Sequence, residues 1–359
     1  MKDFYTYKGA IHIHTMLSDG TGDIDMISKA AKKAGLDFII ITDHNYYDTD
    51  EGVINGVYVI KAQEISPIQS NHYIALDVNK TILPKDDTKI YVDEVRKLGG
   101  FGFSAHPDEG FIVNEKGNVI PRKNSNHCIP WTDKNVIPDG IEIWNWFSNW
   151  ADNLDDTNIL SLAYAFIFKH NIITPPSKIT TAWWDKLNNE KETIIPAIGG
   201  VDAHALKIKK YIIPVTVFPY ETCFKTITNI IKLNKKLSSD FTLAKKQILK
   251  AIKSGNNIIL NRHTVAEIPN IYAKNNSGEY YCGEDIILDN NTSLHFLANN
   301  IFEICLIYNG STINKVKTNN YCYKINEAGK YRLEVSYRGR GFLYTNPFNI
   351  KVEPNGKNS

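Results

Sequence analysis

The sequence predicts an α/β unit followed by a smaller all-β unit, and three observations predict it. Up to about residue 260, short apolar runs alternate with stretches of helical spacing. Several of those runs, such as "LDFIIITDH", are almost continuously apolar, as in strands buried on both faces of a parallel sheet. Beyond residue 262 the texture changes to apolar–polar alternation broken by Asn/Gly turns, at the spacing of about 8–12 residues expected of a small sandwich. The first part reads as an α/β barrel or a doubly wound sheet. We therefore place units at residues 1–260 and 261–359.

In chain order, "GAIHIH" reads as a strand and "DIDMISKAAKKAG" as a helix with Asp23 at its N-cap and Gly35 as its stop. "LDFIIITDH", "VYVIKAQE" and "HYIALDV" are further strands. "DTKIYVDEVRKLGG" is a helix ending in glycine, and "FGFSAHP" a strand running into proline. "DGIEIWN" and "IIPAIGGVDAH" are strands separated by the helical stretch "NILSLAYAFIFKH". "YIIPVTVF" and the helix "TLAKKQILKAIKSG" complete the first unit. In the second, "YNGS" is a tight hairpin turn, "YTNPFNI" closes the unit, and "EPNGKNS" is a frayed tail.

Composition narrows the function classes. The chain has 359 residues, 43% hydrophobic and 22% charged, with a net charge of +2. Such a balance lacks the basic field that captures a nucleic-acid backbone, so no nucleic-acid polymer is expected as partner. The segment "MKDFYTYKGAIHIH" has no apolar core of a secretory signal, and no run reaches bilayer length. Five scattered cysteines without a CxxC argue against a disulfide framework or thiolate zinc site. The expectation is a cytoplasmic protein without a membrane partner. The sequence leaves the oligomeric state unknown.

The chemistry concentrates at strand ends. In "AIHIH" the strand period of two puts His12 and His14 on one face, and "SDG" lets Asp19 fold back toward them. Two imidazoles and a hard oxygen donor suit Zn, Mn or Fe. His44 follows a buried strand, Glu64 ends the next, His72 begins another and His106 sits in "SAHP". "GGVDAH" repeats the i, i+2 spacing with Asp202 and His204, after glycines that allow close backbone approach. A lone histidine at a strand end is most often structural. Here, however, nine candidate ligands fall in five segments, and burying so many ionisable groups without a metal is costly.

The ordered set "HIHTMLSDG", "TDHN", the separated Glu64 and His72, "SAHP" and "GGVDAHA" resembles the motifs of the PHP (polymerase and histidinol phosphatase) family, over roughly residues 8–255. That resemblance implies a distorted, TIM-like (β/α)7 barrel holding two or three divalent metal ions (Zn, Mn or Fe), followed by a β-sandwich. It implies His12, His14, Asp19, His44, Glu64, His72, His106, Asp202 and His204 as metal ligands, with Glu64 bridging. Where several relatives carry a histidine in the first loop, this chain has Asp19. The implied activity is hydrolysis of small phosphate mono- or diesters by a hydroxide shared between metals. Glu64, Asp202 and His204 are the candidate catalytic residues, with Asp202 carrying a proton to the leaving alkoxide. The alternative is a carbamate or carboxylic-ester hydrolase using the same site, as in the carbaryl-hydrolase branch. A non-catalytic metal-binding module is the third reading, and the full ligand set argues against it.

Other residues are expected in supporting roles. Asp43 either orients a ligand histidine or caps the following turn. Glu142, in "GIEIWN" with Asn145, either hydrogen-bonds a ligand or forms a buried structural pair. Residues 107–138 and 171–190 are expected to cover the mouth of the barrel. Arg122 and Lys123 are candidates for a distal phosphate, with His127 as an outer ligand, against a reading as solvated loop residues. Trp183 and Trp184 are read as packing, and His170, His263 and His295 as structural histidines without companions. The β-rich unit is read as a structural accessory packed on the barrel.

Overall fold

Short polar side chains set where most helices of this chain begin. In the computed structural model, which describes residues 4–113, 118–121, 128–154, 158–208 and 215–353, β1 (Tyr5–Ile11) leads into α1 (Ile24–Lys33). The Asp23 carboxylate accepts from Met26 N at 2.8 Å to cap that helix. β2 (Phe38–Ile41) is the buried run "FIII". A helix-free stretch follows with β3 (Gly52–Ile54), β4 (Val57–Lys61), β5 (Gln63–Ile65) and β6 (Tyr73–Leu76). The Asp87-capped α2 (Thr88–Lys97) returns to β7 (Phe101–Ser104). The hairpin β8 (Phe111–Val113) and β9 (Val119–Pro121) precedes β10 (Gly140–Asn145). Asn145, Asn158 and Ser177 then cap α3 (Trp146–Asp152), α4 (Ile159–Ile167) and α5 (Lys178–Glu190).

β11 (Ala197–Gly200) is followed by β12 (Lys207–Ile208), β13 (Val215–Thr216), α6 (Tyr220–Cys223) and β14 (Ile227–Leu233). α7 (Phe241–Ser254) runs from Asp240 to the left-handed Gly255 and leads into β15 (Asn257–Asn261). Beyond this point the described residues hold strands alone: β16 (Asn270–Asn275), β17 (Gly278–Tyr280), β18 (Asp285–Ile287), β19 (Ser293–Tyr308), β20 (Ser311–Lys324), β21 (Gly329–Tyr337), β22 (Arg340–Thr345) and β23 (Phe348–Lys351). The β19–β20 turn has Asn309 at φ +45° and Gly310 at φ +82°, the backbone of a two-residue hairpin loop.

The protein is thus mixed α/β and rich in sheet. Among the described residues its ladders form two large open sheets, two two-stranded ones (β12–β13 and β8–β9) and no closed barrel. One large sheet runs β17-β16-β19-β21-β22-β15-β14-β1-β2-β4-β3, the other β11-β10-β7-β6-β5. The β1–β2–β4 and β7–β10–β11 pairings are parallel, whereas β5–β6–β7 and β1–β14–β15 are antiparallel. Two isolated bridges, Ile13–Ala203 and His44–Glu64, tie the sheets together. Val201 N–H donates to Ile11 O at 3.0 Å beside the first bridge, and Asn45 N–H to Glu64 O at 2.8 Å beside the second. Among the described residues no helix is long and apolar enough to cross a membrane.

The strands after residue 261 continue the first sheet, because β15 pairs with β22. Polar side chains lock this seam. Asn346 is fully buried: its Oδ1 accepts from Ala197 N at 2.7 Å, and its Nδ2 donates to Ala197 O at 2.9 Å and Asn257 O at 2.8 Å. Arg332 grips Asp185 of α5 through two hydrogen bonds of 2.7 Å and lies over the Trp184 ring. The Lys330 ammonium donates to the carbonyls of Asn188, Lys191 and Thr193 at the end of the same helix.

One segment is defined here and one expectation is corrected. Most of residues 171–190 is the helix α5, because Ser177 supplies an N-cap and Trp184 is drawn into the core, its Nε1 donating to Ile195 O at 2.7 Å. His170 and His263 are companions, with stacked rings 4.0 Å apart, and His295 stacks on Tyr272. Asn346→Ala leaves Ala197 N–H without its acceptor and takes one donor each from Ala197 O and Asn257 O, so we expect a loss of about 1–3 kcal/mol in urea unfolding.

Candidate metal centre

The structure brings all nine sequence-predicted ligands together. Four overlapping sets place donor atoms within 4.8 Å of one another: His14, Asp19, His44 and His204; His12, Glu64 and His106; His12, His14 and Asp202; His44, Glu64 and His72. Glu64 is their common neighbour. Its Oε1 lies 2.9 Å from His72 Nδ1 and 3.2 Å from His106 Nε2. Its Oε2 lies 2.9 Å from His44 Nδ1, 3.3 Å from His12 Nε2 and 3.6 Å from His14 Nε2. Asp202 Oδ1 is 3.3 Å from His14 Nε2, and Asp19 Oδ1 is 3.2 Å from His204 Nε2.

Backbone geometry aims these groups. β1 ends at Ile11, so the two histidines do not lie in a regular strand. His12 turns through φ +70° and Ile13 re-enters pairing opposite Ala203. His106 and Asp202 also have left-handed backbones, at φ +27° and +49°. Non-glycine residues adopt that region at a cost, and it clusters where function requires a particular side-chain direction.

Four of the histidines are anchored through one ring nitrogen, which leaves the other facing the cluster. His12 Nδ1 lies 2.8 Å from Glu142 Oε1, His72 Nε2 3.0 Å from Pro67 O, His106 Nδ1 3.2 Å from Ile129 O, and His204 Nδ1 3.0 Å from Asp202 O. Such contacts fix ring orientation and tautomer in metal sites. Glu142 also accepts from His106 N at 2.7 Å and Asn145 Nδ2 at 3.0 Å, which makes it the hydrogen-bonding partner of a candidate ligand rather than half of an isolated pair. Gly200 makes room for it: a Cβ there would stand 1.7 Å from Glu142 Oε1.

Asp43 takes neither of its expected roles. It accepts from Thr15 N at 2.7 Å, Ser18 Oγ at 2.6 Å and Thr49 Oγ1 at 3.1 Å, and so fastens the loop that carries Asp19. Tyr220, absent from the sequence reading, fastens the same loop by donating to His14 O at 2.7 Å. Its partners lie about two hundred positions away, and no local pattern signals them. Trp184 is buried packing, and Trp183 lies under the Lys134 ammonium. Arg122, Lys123 and His127 lie outside the described residues.

Charge in the cluster is closely balanced. Burial opposes a charged His12, but Asp202, Glu142 and Glu64 hold its pKa well above the usual value. His106 is raised against burial by Glu109 and Glu64, and His44 is pushed up to about 10 by Asp19 and Glu64. Burial, with His204 and His44 adding, brings His14 down to about 4. Burial would raise Glu64 and Asp202, yet the surrounding histidines hold both well below the carboxylate range.

The donor set fits divalent metal ions. His12 Nε2, both ring nitrogens of His14 and Glu64 Oε2 are buried without a hydrogen-bond partner, and all belong to the convergent sets. Buried polar atoms ordinarily find partners. Imidazole nitrogens and carboxylate oxygens are the donors that Zn, Mn and Fe accept.

No protein-family model matches the chain, and no curated protein matches it. Among solved structures it is similar to a two-domain protein of Bacteroides vulgatus ATCC 8482 containing a predicted PHP-like metal-dependent phosphoesterase. The identity is 14% and the TM-score 0.43, with 96% of each chain covered. So distant a likeness decides neither fold nor chemistry.

Metal must displace the protons that the carboxylates hold on His12, His44 and His106. Calorimetry of Zn binding at pH 7 in buffers of different ionisation enthalpy should therefore show release of about two protons or more, with affinity rising as pH rises. Glu142→Gln should weaken Zn affinity about 10- to 100-fold in chelator competition.

Proposed function

We infer that the protein is a metal-dependent hydrolase acting on small phosphate mono- or diesters. The observation that carries this reading is the convergence of nine donor residues, the buried Glu64 among them, with partnerless buried donor atoms in the set. The ordered motifs that resemble the PHP family supply the phosphoester. In this reading the two bridged sheets act as the distorted (β/α)7 barrel, and residues 261–359 as the accessory sandwich.

His12, His14, Asp19, His44, Glu64, His72, His106, Asp202 and His204 would hold two or three divalent ions. Such ions supply charge neutralisation at the phosphoryl oxygens and activation of a water. Glu64, with no exposure, joins the donor sets by offering one oxygen to each side. Glu142 and Asn145 keep His12 and Asp202 in place, Asn145 Nδ2 standing 3.4 Å from Asp202 Oδ2. Asp202 is the proton carrier to the leaving alkoxide, because it borders the cluster while keeping some exposure.

Substrate reaches the cluster at Asp19 and His44, whose side chains are 54% and 28% exposed, the most open of the nine. A cleft of about 540 Å³ lined by Asn45, Ser66, Gln69 and Lys85 adjoins this opening and gives room for a leaving group. On another side Phe147 packs against His204, ring centres 5.8 Å apart.

The test is hydrolysis of p-nitrophenyl phosphate beside p-nitrophenyl acetate, after stripping with chelator and reloading with Mn or Zn. We expect metal-dependent phosphate release, and a fall of about 100-fold or more in kcat for Asp202→Asn. Turnover of the acetate without the phosphate would replace the phosphoester by a carbamate or carboxylic ester.

A further inference from the structure

The opening of the metal cluster has two sides of opposite character. Asp19 stands between them: its Oδ2 lies 3.6 Å from His44 Nε2 and its Oδ1 3.2 Å from His204 Nε2. The His44 and His204 rings are 6.3 Å apart, and the His14 ring lies 4.3 Å from one and 4.2 Å from the other. A phosphoryl group held at this opening meets one surface on its His44 side and another on its His204 side.

The His44 side is polar. Ser66 Oγ lies 2.6 Å from His44 Nδ1. Asn45 and Ser66 are joined twice, Asn45 Oδ1 accepting from Ser66 N at 2.8 Å and Asn45 Nδ2 donating to Ser66 O at 3.2 Å. Both line the cleft of about 540 Å³, whose side chains are polar apart from Pro67, Ile68 and Pro84. Gln69 and Lys85 are exposed there, and they offer an amide and an ammonium to a guest. Such a lining suits an alcohol that carries further hydroxyls.

The His204 side is apolar. Phe147, with its ring centre 5.8 Å from that of His204, lies 6.1 Å from Phe218, which in turn stacks on Phe166 at 6.0 Å. Leu206, two residues beyond His204, is 39% exposed, and Leu17, on the loop that carries Asp19, is 49% exposed. Thr21 holds these two segments together, its N donating to His204 O at 2.9 Å and its Oγ1 to Ala205 O at 2.6 Å. Single exposed aliphatic side chains are ordinary on a surface. Here they flank an aromatic wall that begins at a candidate metal ligand, so the apolar surface lies where a substrate would be held. A phosphate ester of one alcohol uses one of the two sides, whereas an ester of two unlike alcohols uses both.

We propose that the substrate is an amphiphilic phosphodiester, in which an alcohol bearing further hydroxyls lies in the cleft at Gln69 and Lys85 and an apolar alcohol lies along Phe147 and Leu206. The proposal rests on the hydrolytic reading and narrows it. Water adds its oxygen to phosphorus and the bond to the polar alcohol breaks, since its cleft is the one with room for a leaving group. One proton of that water goes to the departing alkoxide, and the other stays on the phosphomonoester of the apolar alcohol or passes to solvent.

Glyceryl hexyl phosphate is the probe, beside glyceryl methyl phosphate, dihexyl phosphate and hexyl phosphate. Each is incubated, below the concentration at which it aggregates, with the full-length, Zn-loaded protein, and the products are identified by phosphorus NMR. We expect glycerol and hexyl phosphate from the probe, with kcat/KM about tenfold or more above that of each of the other three, as the extra methylenes leave water and the glyceryl hydroxyls find partners. Leu206→Ser and Leu17→Ser, both at exposed positions, should each lower the preference for hexyl over methyl about threefold or more. Gln69→Ala and Lys85→Ala should each lower the preference for the probe over dihexyl phosphate by a similar factor. Equal rates for the hexyl and methyl diesters would overturn the proposal and leave the hydrolytic reading standing. So would faster cleavage of hexyl phosphate, release of hexanol in place of glycerol, or a preference for hexyl that survives both leucine substitutions. No hydrolysis of any of these esters, nor of p-nitrophenyl phosphate, would overturn the hydrolytic reading and this proposal together.

Discussion

A carboxylate with no exposure to solvent stands among five imidazoles at the centre of this protein, and most of the site depends on it. A buried carboxylate is tolerable only when opposite charge surrounds it. For Glu64 that charge comes from His12, His44 and His106, which belong to three separate segments of the chain. The strands must therefore bring their ends to one point. The two bridges between the sheets, Ile13–Ala203 and His44–Glu64, fall at that point. Local charge balance and sheet topology express the same constraint.

Much of this was legible in the sequence, because it is written in short-range spacing. Asp23 and Gly35 delimit α1 as their chemistry requires, and the Asn309–Gly310 turn follows from its residue types. The cluster was legible as well, since histidines and carboxylates recur at the ends of apolar runs and "GGVDAH" echoes "AIHIH". The i, i+2 argument pointed to residues that the fold does bring together, for a reason only partly right. His12 leaves the strand through a left-handed backbone, and its placement owes more to the Ile13–Ala203 bridge than to strand alternation.

What escaped the sequence is what depends on distant partners. Asp43 reads locally as a cap or an orienting group, yet its acceptors serve Thr15, Ser18 and Thr49. Tyr220 carries no motif and still supports the first loop. His170 and His263 look solitary along the chain but stack in space. The two open ladders and the continuity of the sheet across residue 261 are likewise products of pairing between segments, which periodicity does not encode. The stretch 171–190 was expected only as a cover for the barrel mouth, and the helix that fills most of it starts from the single cap Ser177, after two prolines.

The clamp made by Asn346 has a consequence for the order in which the molecule is made. A chain emerges from the ribosome N-terminus first, and early segments begin folding before later ones exist. All nine residues of the metal cluster lie before position 205, but the carboxamide that holds Ala197, at the root of the strand leading to Asp202 and His204, arrives some 140 residues afterwards. The nascent protein thus passes through an interval in which its histidines and carboxylates are already synthesised while one of the strands that aims them lacks its anchor. The strand that leads to Asp202 and His204 gains this anchor only once β22 has docked beside β15, so residues made long after the cluster complete the frame that holds it.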